Sequence, residues 1–194
     1  GGTLDMIVDR ALGGTGLNQT VTFANFDYDA GEGFTFTSRN GYNITFSAAT
    51  AIGNGTGGTT LTYNGSGLAT FSGTVWGNTN TSVRTLTLNG TGTTLLTGSV
   101  TASGAAHELT KNGTGTVTVQ GTGSTFTGDA NINNGTLIVT DFRSLSNNTG
   151  IINIGSNASN TGLNSSNNNG AGTLTIGSAT TPSAAGLTTS KVIN

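Results

Sequence analysis

The chain has 194 residues, of which 7% are charged, with a formal net charge of -2 and no cysteine. Ordinary soluble domains carry roughly 25% charged residues. Six basic residues spread along the chain cannot form the basic stripe of a nucleic-acid binder. Without cysteine there are no disulfides and no thiolate metal sites, and no apolar run reaches the roughly 20 residues of a membrane-spanning helix.

The chain opens Gly1-Gly2-Thr3-Leu4 with no initiator Met, which reads as a processed product or a piece of something longer. Gly accounts for 33 residues, and Thr and Asn are abundant. Apolar residues alternate with Thr and Ser, the pattern of half-buried strands. Thr is β-branched, so it favours strands while tolerating water. The expectation is a folded all-β protein. Near-absence of Lys fits an extracellular surface.

Residues 1–50 read as divergent coils. Within them, Asn25–Gly33 is the most acidic stretch. Asp27, Asp29 and Glu32 are the candidates for a shared Ca²⁺, since hard cations take clustered carboxylates. The spacing is not that of an EF-hand loop, and a solvated turn is the stronger reading. Asp27 and Asp29 would share one strand face, with Phe26 and Tyr28 on the other.

From residue 53 to 141 a repeat emerges. The segments L61-TYNGSGLATFSG, L86-TLNGTGTTLLTG and L109-TKNGTGTVTVQG align without gaps. Leu61, Leu86 and Leu109 correspond, as do Asn64, Asn89 and Asn112. So do Gly65, Gly90 and Gly113, then Gly67, Gly92 and Gly115, and Gly73, Gly98 and Gly121 close the segments. Offsets of 25 and 23 residues signal stacked units, each unable to bury its apolar face alone. Poor helix formers and the missing 3.6-residue pattern exclude helical repeats. A β-solenoid of about 23–25 residues per coil is predicted. Asn-Gly is also a hairpin signal, so a meander or sandwich competes. At about 4.8 Å per coil the solenoid would be a rod of roughly 40 Å. Val117, Val119, Phe126, Ile132, Leu137 and Val139 are expected inside, Thr ladders outside, and stacked Asn amides at the turns.

Chemistry-bearing residues are few. Trp76, Tyr28, Tyr42 and Tyr63 are candidates for stacking on glycans, against the plainer role of packing anchors. His107 and Glu108 make one His and one acid, with no nucleophile or metal indicated beside them. Lys111 and Arg84 are the cations that a polysaccharide lyase would use as base. Asn18, Asn43, Asn54, Asn64, Asn89, Asn112, Asn134 and Asn157 each stand in an Asn-x-Ser/Thr triplet, which an Asn/Thr-rich chain produces by composition. Residues 147–170 read as an Asn-rich loop or protrusion.

The segment from Leu109 through Lys111, Gly113, Gly115, Thr116, Gly121, Phe126-Thr-Gly128 and Asn134-Gly135-Thr-Leu-Ile-Val139 resembles the autotransporter-associated repeat, also called the passenger-associated transport repeat. Phe126 stands where that family usually has Tyr. The likeness is close over residues 109–140, degenerate over about half the chain and poor over the first 50 residues. It implies a right-handed parallel β-helix in a large secreted or surface-displayed bacterial protein, with no catalytic residue and no cofactor to carry over.

Joined end to end, Val192-Ile193-Asn194 and Gly1-Gly2-Thr3-Leu4 read I-N-G-G-T-L, close to Ile132-Asn133-Asn134-Gly135-Thr136-Leu137. This predicts one tile of a longer array, repeated within a polypeptide or stacked head-to-tail between chains. A segment cut from a long solenoid is the plain alternative. The functional expectation is a non-enzymatic surface scaffold, with a glycan-binding adhesin as the second reading and a polysaccharide lyase as the third.

Overall fold

A computed structural model describes residues 4–28, 33–48, 50–52, 58–140, 145, 151–155 and 172–176. All regular structure among them is strand. Sheet A runs in the order β1 (Leu4–Val8), β4 (Gly33–Ser38), β7 (Thr59–Gly65), β10 (Thr85–Gly90), β13 (Glu108–Lys111), β15 (Ala130–Ile132), β17 (Ile152–Ile154). Sheet B holds β2 (Thr20–Phe23), β5 (Asn43–Phe46), β8 (Leu68–Phe71), β11 (Thr93–Leu96), β14 (Thr116–Val119), β16 (Gly135–Val139) and β18 (Gly172–Ile176). Sheet C holds β3 (Phe26–Tyr28), β6 (Thr50–Ile52), β9 (Val75–Asn78) and β12 (Val100–Ala102).

Each strand pairs in parallel with its counterpart one turn away, as β10 does with β7 and β13. The chain is therefore a β-solenoid. Four turns carry all three strands, and three further turns carry sheets A and B. The hairpin and sandwich alternatives fail because no neighbouring strands are antiparallel among the described residues.

Strand alternation sorts side chains inward and outward, and stacking turns the inward ones into continuous columns. In sheet A the register links Leu4, Phe34, Leu61, Leu88, Lys111, Ile132 and Ile154. In sheet B it links Val21, Ile44, Ala69, Thr94, Val117, Leu137 and Leu174. The six residues expected inside, Val117, Val119, Phe126, Ile132, Leu137 and Val139, are all buried. Thr93, Thr116, Thr136 and Thr173 form one of the outward ladders.

The register corrects the gapless alignment. Leu86 does face Leu109, but Leu61 faces Leu88, and Leu86 faces Thr59. By the same shift Gly90 faces Tyr63, not Gly65, and Asn89 faces Thr62, not Asn64. The slip is two residues, which returns every side chain to its own face, so the alternation gives no warning of it. The corner after β7 absorbs it: in sheet B, Leu68 faces Thr93 and the offset is 25 again.

Strands β1 to β6 complete two three-strand coils despite the poor repeat match of this part of the sequence. Their corners are longer: Phe34 and Ile44, inward in sheets A and B of the second coil, are ten residues apart, against six for Lys111 and Val117. The predicted protrusion over 147–170 is also corrected in part, because Ile152–Ile154 is β17 of sheet A. The rest of that stretch lies outside the described residues, except Ile151 and Gly155. Of the end-joining positions, Gly1, Gly2, Thr3, Ile193 and Asn194 lie outside them too. Leu4 opens β1 in sheet A, whereas Leu137 of the matching internal motif lies in sheet B. Leu4 therefore does not take the place of Leu137. Its alternate neighbours Met6 and Val8 lie opposite Phe36 and Ser38.

Candidate functional site

Asn-Gly dipeptides mark the corner from sheet A to sheet B in five successive coils, at Asn40, Asn64, Asn89, Asn112 and Asn134. Gly113 and Gly135 take φ values of +63° and +68° there, a left-handed turn that a β-carbon disfavours. The amides bind the neighbouring turn: Thr91 N–H donates to Asn64 Oδ1 (3.2 Å) and Asn133 Nδ2 donates to Asn112 Oδ1 (3.0 Å). A second amide pair joins Asn153 Nδ2 to Asn131 Oδ1 at 2.8 Å. Stacked Asn amides are therefore present, although partly between other residues than those aligned by sequence.

Lys111 sits beneath this corner. Alternation along β13 sends Leu109 and Lys111 inward and Thr110 outward. Lys111 is 1% exposed, between Leu88 and Ile132. Its Nζ donates to the carbonyl oxygens of Asn112, Gly113 (2.7 Å) and Asn134 (3.2 Å). Burial pushes its pKa down to about 8. A β-carbon on Gly135 would stand 2.9 Å from that nitrogen, so the glycine also leaves room for the ammonium. The amine ties turn β13–β14 to turn β15–β16. It is closed off from solvent, which corrects its reading as a lyase base.

Arg84 lies half-buried one turn away. Its Nη1 donates to Val83 O at 3.1 Å, and its buried Nε has no hydrogen-bond partner. Its backbone N–H donates to Nδ1 of His107 at 3.0 Å. The His107 ring is fully buried, with Nε2 3.0 Å from Ser103 O. Nδ1 accepts, so Nε2 carries the proton and donates to Ser103. Both ring nitrogens are thus committed to backbone. Glu108, the next residue, is half-buried and accepts a 3.4 Å hydrogen bond from Thr85 Oγ1 across the sheet. His107 and Glu108 are not hydrogen-bonded to each other, and the structure does not form the dyad.

Trp76 packs edge-on against His107, with centroids 5.5 Å apart. It is 1% exposed and has φ +91°, a costly conformation for a bulky residue. The cause is a bulge in β9: Thr101 faces Trp76, but Ala102 faces Asn78. The local register shift coincides with the strained indole, which lies inside the coil. Tyr63 is also buried, and its hydroxyl donates to Ser38 Oγ at 2.8 Å; burial raises its pKa. Neither Trp76 nor Tyr63 can stack on a glycan, which corrects that expectation. Tyr42 is half-buried against the core. The side chain of Tyr28 lies outside the described residues.

Asp27 lies in β3 opposite Ala51. Its side chain, and Asp29 and Glu32 altogether, lie outside the described residues. Among the described residues no three His, Cys, Asp or Glu side chains gather as a metal site. One polar cluster is not foreshadowed by the repeat. Asp9 accepts from Asn40 Nδ2 and from Arg10 N–H (2.7 Å), with Arg39 Nη1 3.9 Å away. Chiefly the Asn40 hydrogen bond holds the Asp9 carboxyl below its usual range. Asp9 ties the end of β1 to the corner after β4, and only the spatial neighbourhood of the first two turns shows it.

No family model, curated protein or solved structure matches the chain.

Proposed function

We propose that this protein is a non-enzymatic structural scaffold of the bacterial exterior, a β-solenoid that forms or spaces a surface fibre, sheath or passenger stalk. One observation carries the reading. Four of the residues singled out for chemistry, Lys111, His107, Trp76 and Tyr63, are interior, and the polar groups of Lys111, His107 and Tyr63 bond to neighbouring backbone or to Ser38. They fasten turn to turn. The mechanism is geometric: parallel ladders running along the axis give stiffness, and a surface poor in charge permits close lateral packing. The likeness to the autotransporter-associated repeat and the scarcity of Lys support an exterior location.

The reading is tested by a panel of glycans and acidic polysaccharides offered to the purified protein. A scaffold shows no selective binding and releases no unsaturated uronate. A saturable, selective glycan ligand would establish an adhesin instead, and unsaturated products would establish a lyase.

A further inference from the structure

The five Asn-Gly corners are not chemically equal. In four of them the asparagine amide is turned to a neighbouring coil. Asn40 Nδ2 donates to Asp9, Asn64 Oδ1 accepts from Thr91 N–H, and Asn112 Oδ1 accepts from Asn133 Nδ2. Asn89 Oδ1 lies against Gly113 of the next coil, 2.6 Å from where a β-carbon would stand. Asn134 differs. Its Oδ1 accepts from the N–H of Gly135, the residue that follows it, at 2.8 Å.

That contact places Gly135 N beside Asn134 Cγ, one bond from Oδ1, so little motion separates the two atoms from a five-membered ring. Glycine has no side chain to crowd the approach. The peptide group is also polarised. Lys111 Nζ donates to Asn134 O at 3.2 Å, and that oxygen belongs to the same peptide group as Gly135 N. A cation on the carbonyl oxygen stabilises the negative charge that develops when Gly135 N loses its proton. Asn134 and Gly135 are themselves only half-buried, so water has access to the corner although Lys111 is closed off.

We propose that Asn134 is a self-modification site, where Gly135 N closes on Asn134 Cγ with Lys111 as the assisting cation and the amide is converted to an acid. The N–Cγ bond forms and the Cγ–Nδ2 bond breaks. Nδ2 leaves as ammonia, carrying the proton of Gly135 N–H. Water then opens the succinimide at either carbonyl, which gives aspartate or isoaspartate without oxidant or reductant. Aspartate puts a carboxylate in the residue whose carbonyl binds the ammonium, and isoaspartate lengthens the corner by one backbone carbon. The site is independent of the scaffold reading.

The full chain is kept at physiological pH and temperature, with a parallel sample in urea. Portions withdrawn over weeks are digested in acid and sequenced by tandem mass spectrometry. Asn134 should convert first of the five, about tenfold faster than Asn64 or Asn112, and faster in the folded chain than in urea. Its products should be paired aspartyl and isoaspartyl peptides. In Lys111→Met the Asn134 rate should fall about tenfold, the kinetic equivalent of one hydrogen bond to a charged group. Circular dichroism establishes whether that variant folds; if it does not, the wild-type comparison of buffer with urea decides. Faster conversion of Asn134 in urea than in the folded chain overturns the proposal. So does another Asn-Gly pair that leads in the folded chain, or a folded Lys111→Met that converts at the wild-type rate. Chain cleavage after Asn134 overturns it too, because Nδ2 would then have attacked the residue's own carbonyl carbon.

Discussion

The coils from β2 to β9 and those from β10 to β16 bury equivalent columns with different side chains. In the earlier coils the interior is aromatic. Phe23, Phe46 and Phe71 stack in sheet B, with centroids 5.5 and 5.0 Å apart, and Phe36 packs 5.1 Å from Phe46. In the later coils the same column continues as Leu96, Val119 and Val139. The two regions also turn differently. Asn-Gly corners with a left-handed glycine occur in both, at Gly41 as at Gly113 and Gly135, but the earlier corners are longer and Lys111 binds the carbonyls of the later ones. A wider aromatic filling goes with longer corners, and a narrower aliphatic filling with shorter ones. The ladder geometry is common to both.

Substitutions in one column test whether the two regions are equivalent in architecture and different in filling. The largest effect is expected at Phe46→Ala, which empties the centre of the aromatic stack; loss of about 3–5 kcal/mol in chemical denaturation is predicted. The equivalent change in the later coils, Val119→Ala, removes two methyl carbons and should cost about 1.6 kcal/mol in transfer alone. Equal losses would mean that the aromatic stack contributes nothing beyond its place in the column.

Gly121→Ala probes the narrow region without emptying it. A β-carbon there would run into the carbonyl of Gly98 in the turn below. The backbone must shift, and overpacking of this kind costs about 1–3 kcal/mol.

Lys111→Met keeps the apolar stem and deletes the ammonium. Three carbonyls lose their donor, and a loss of about 1–3 kcal/mol is expected at neutral pH, reduced by relief of the buried charge. The pH dependence is the sharper signature. The folded Lys111 releases its proton near pH 8, and the unfolded chain near the ordinary value of 10.5. Between these the unfolded state binds more protons, so this group makes unfolding harder as pH rises through that window. Denaturation midpoints measured up to pH 10 should climb in the wild type and not in Lys111→Met. Tyr63, whose pKa is raised, acts in the opposite direction only above its ordinary value of 10.0.

The smallest effect is expected at Asn133→Ala. It breaks one amide contact to Asn112 and should cost about 0.5–1.5 kcal/mol, read as faster hydrogen exchange around β13 and β15 rather than as global loss.

Much of this division is legible in the sequence. Alternation alone places Val117, Val119, Leu137 and Val139 inside, because a two-residue period leaves one choice of face once a Gly-rich corner sets the start. The same parity marks Lys111, two residues after Leu109, as inward, yet its charge argues for the surface. What decides is a set of three carbonyls contributed by two turns, and no linear pattern shows that. The slip between Leu61 and Leu88 is hidden for the opposite reason. Identity matching prefers Leu86, and both leucines have inward parity. Trp76 resembles a loop residue because Gly77 follows it; the bulge that turns it inward exists only relative to β12. The first fifty residues do not match the repeat because their corners differ in length while their strands do not.

The described turns form one continuous stack, with strands lying across the long axis from β1 to β18. Cryo-electron microscopy of the purified protein, with a power spectrum taken along the long axis of each particle, tests it most directly. A continuous stack should give a rod with a strong axial spacing near 4.8 Å. A compact particle, or one whose 4.8 Å spacing runs across its long axis, would contradict it.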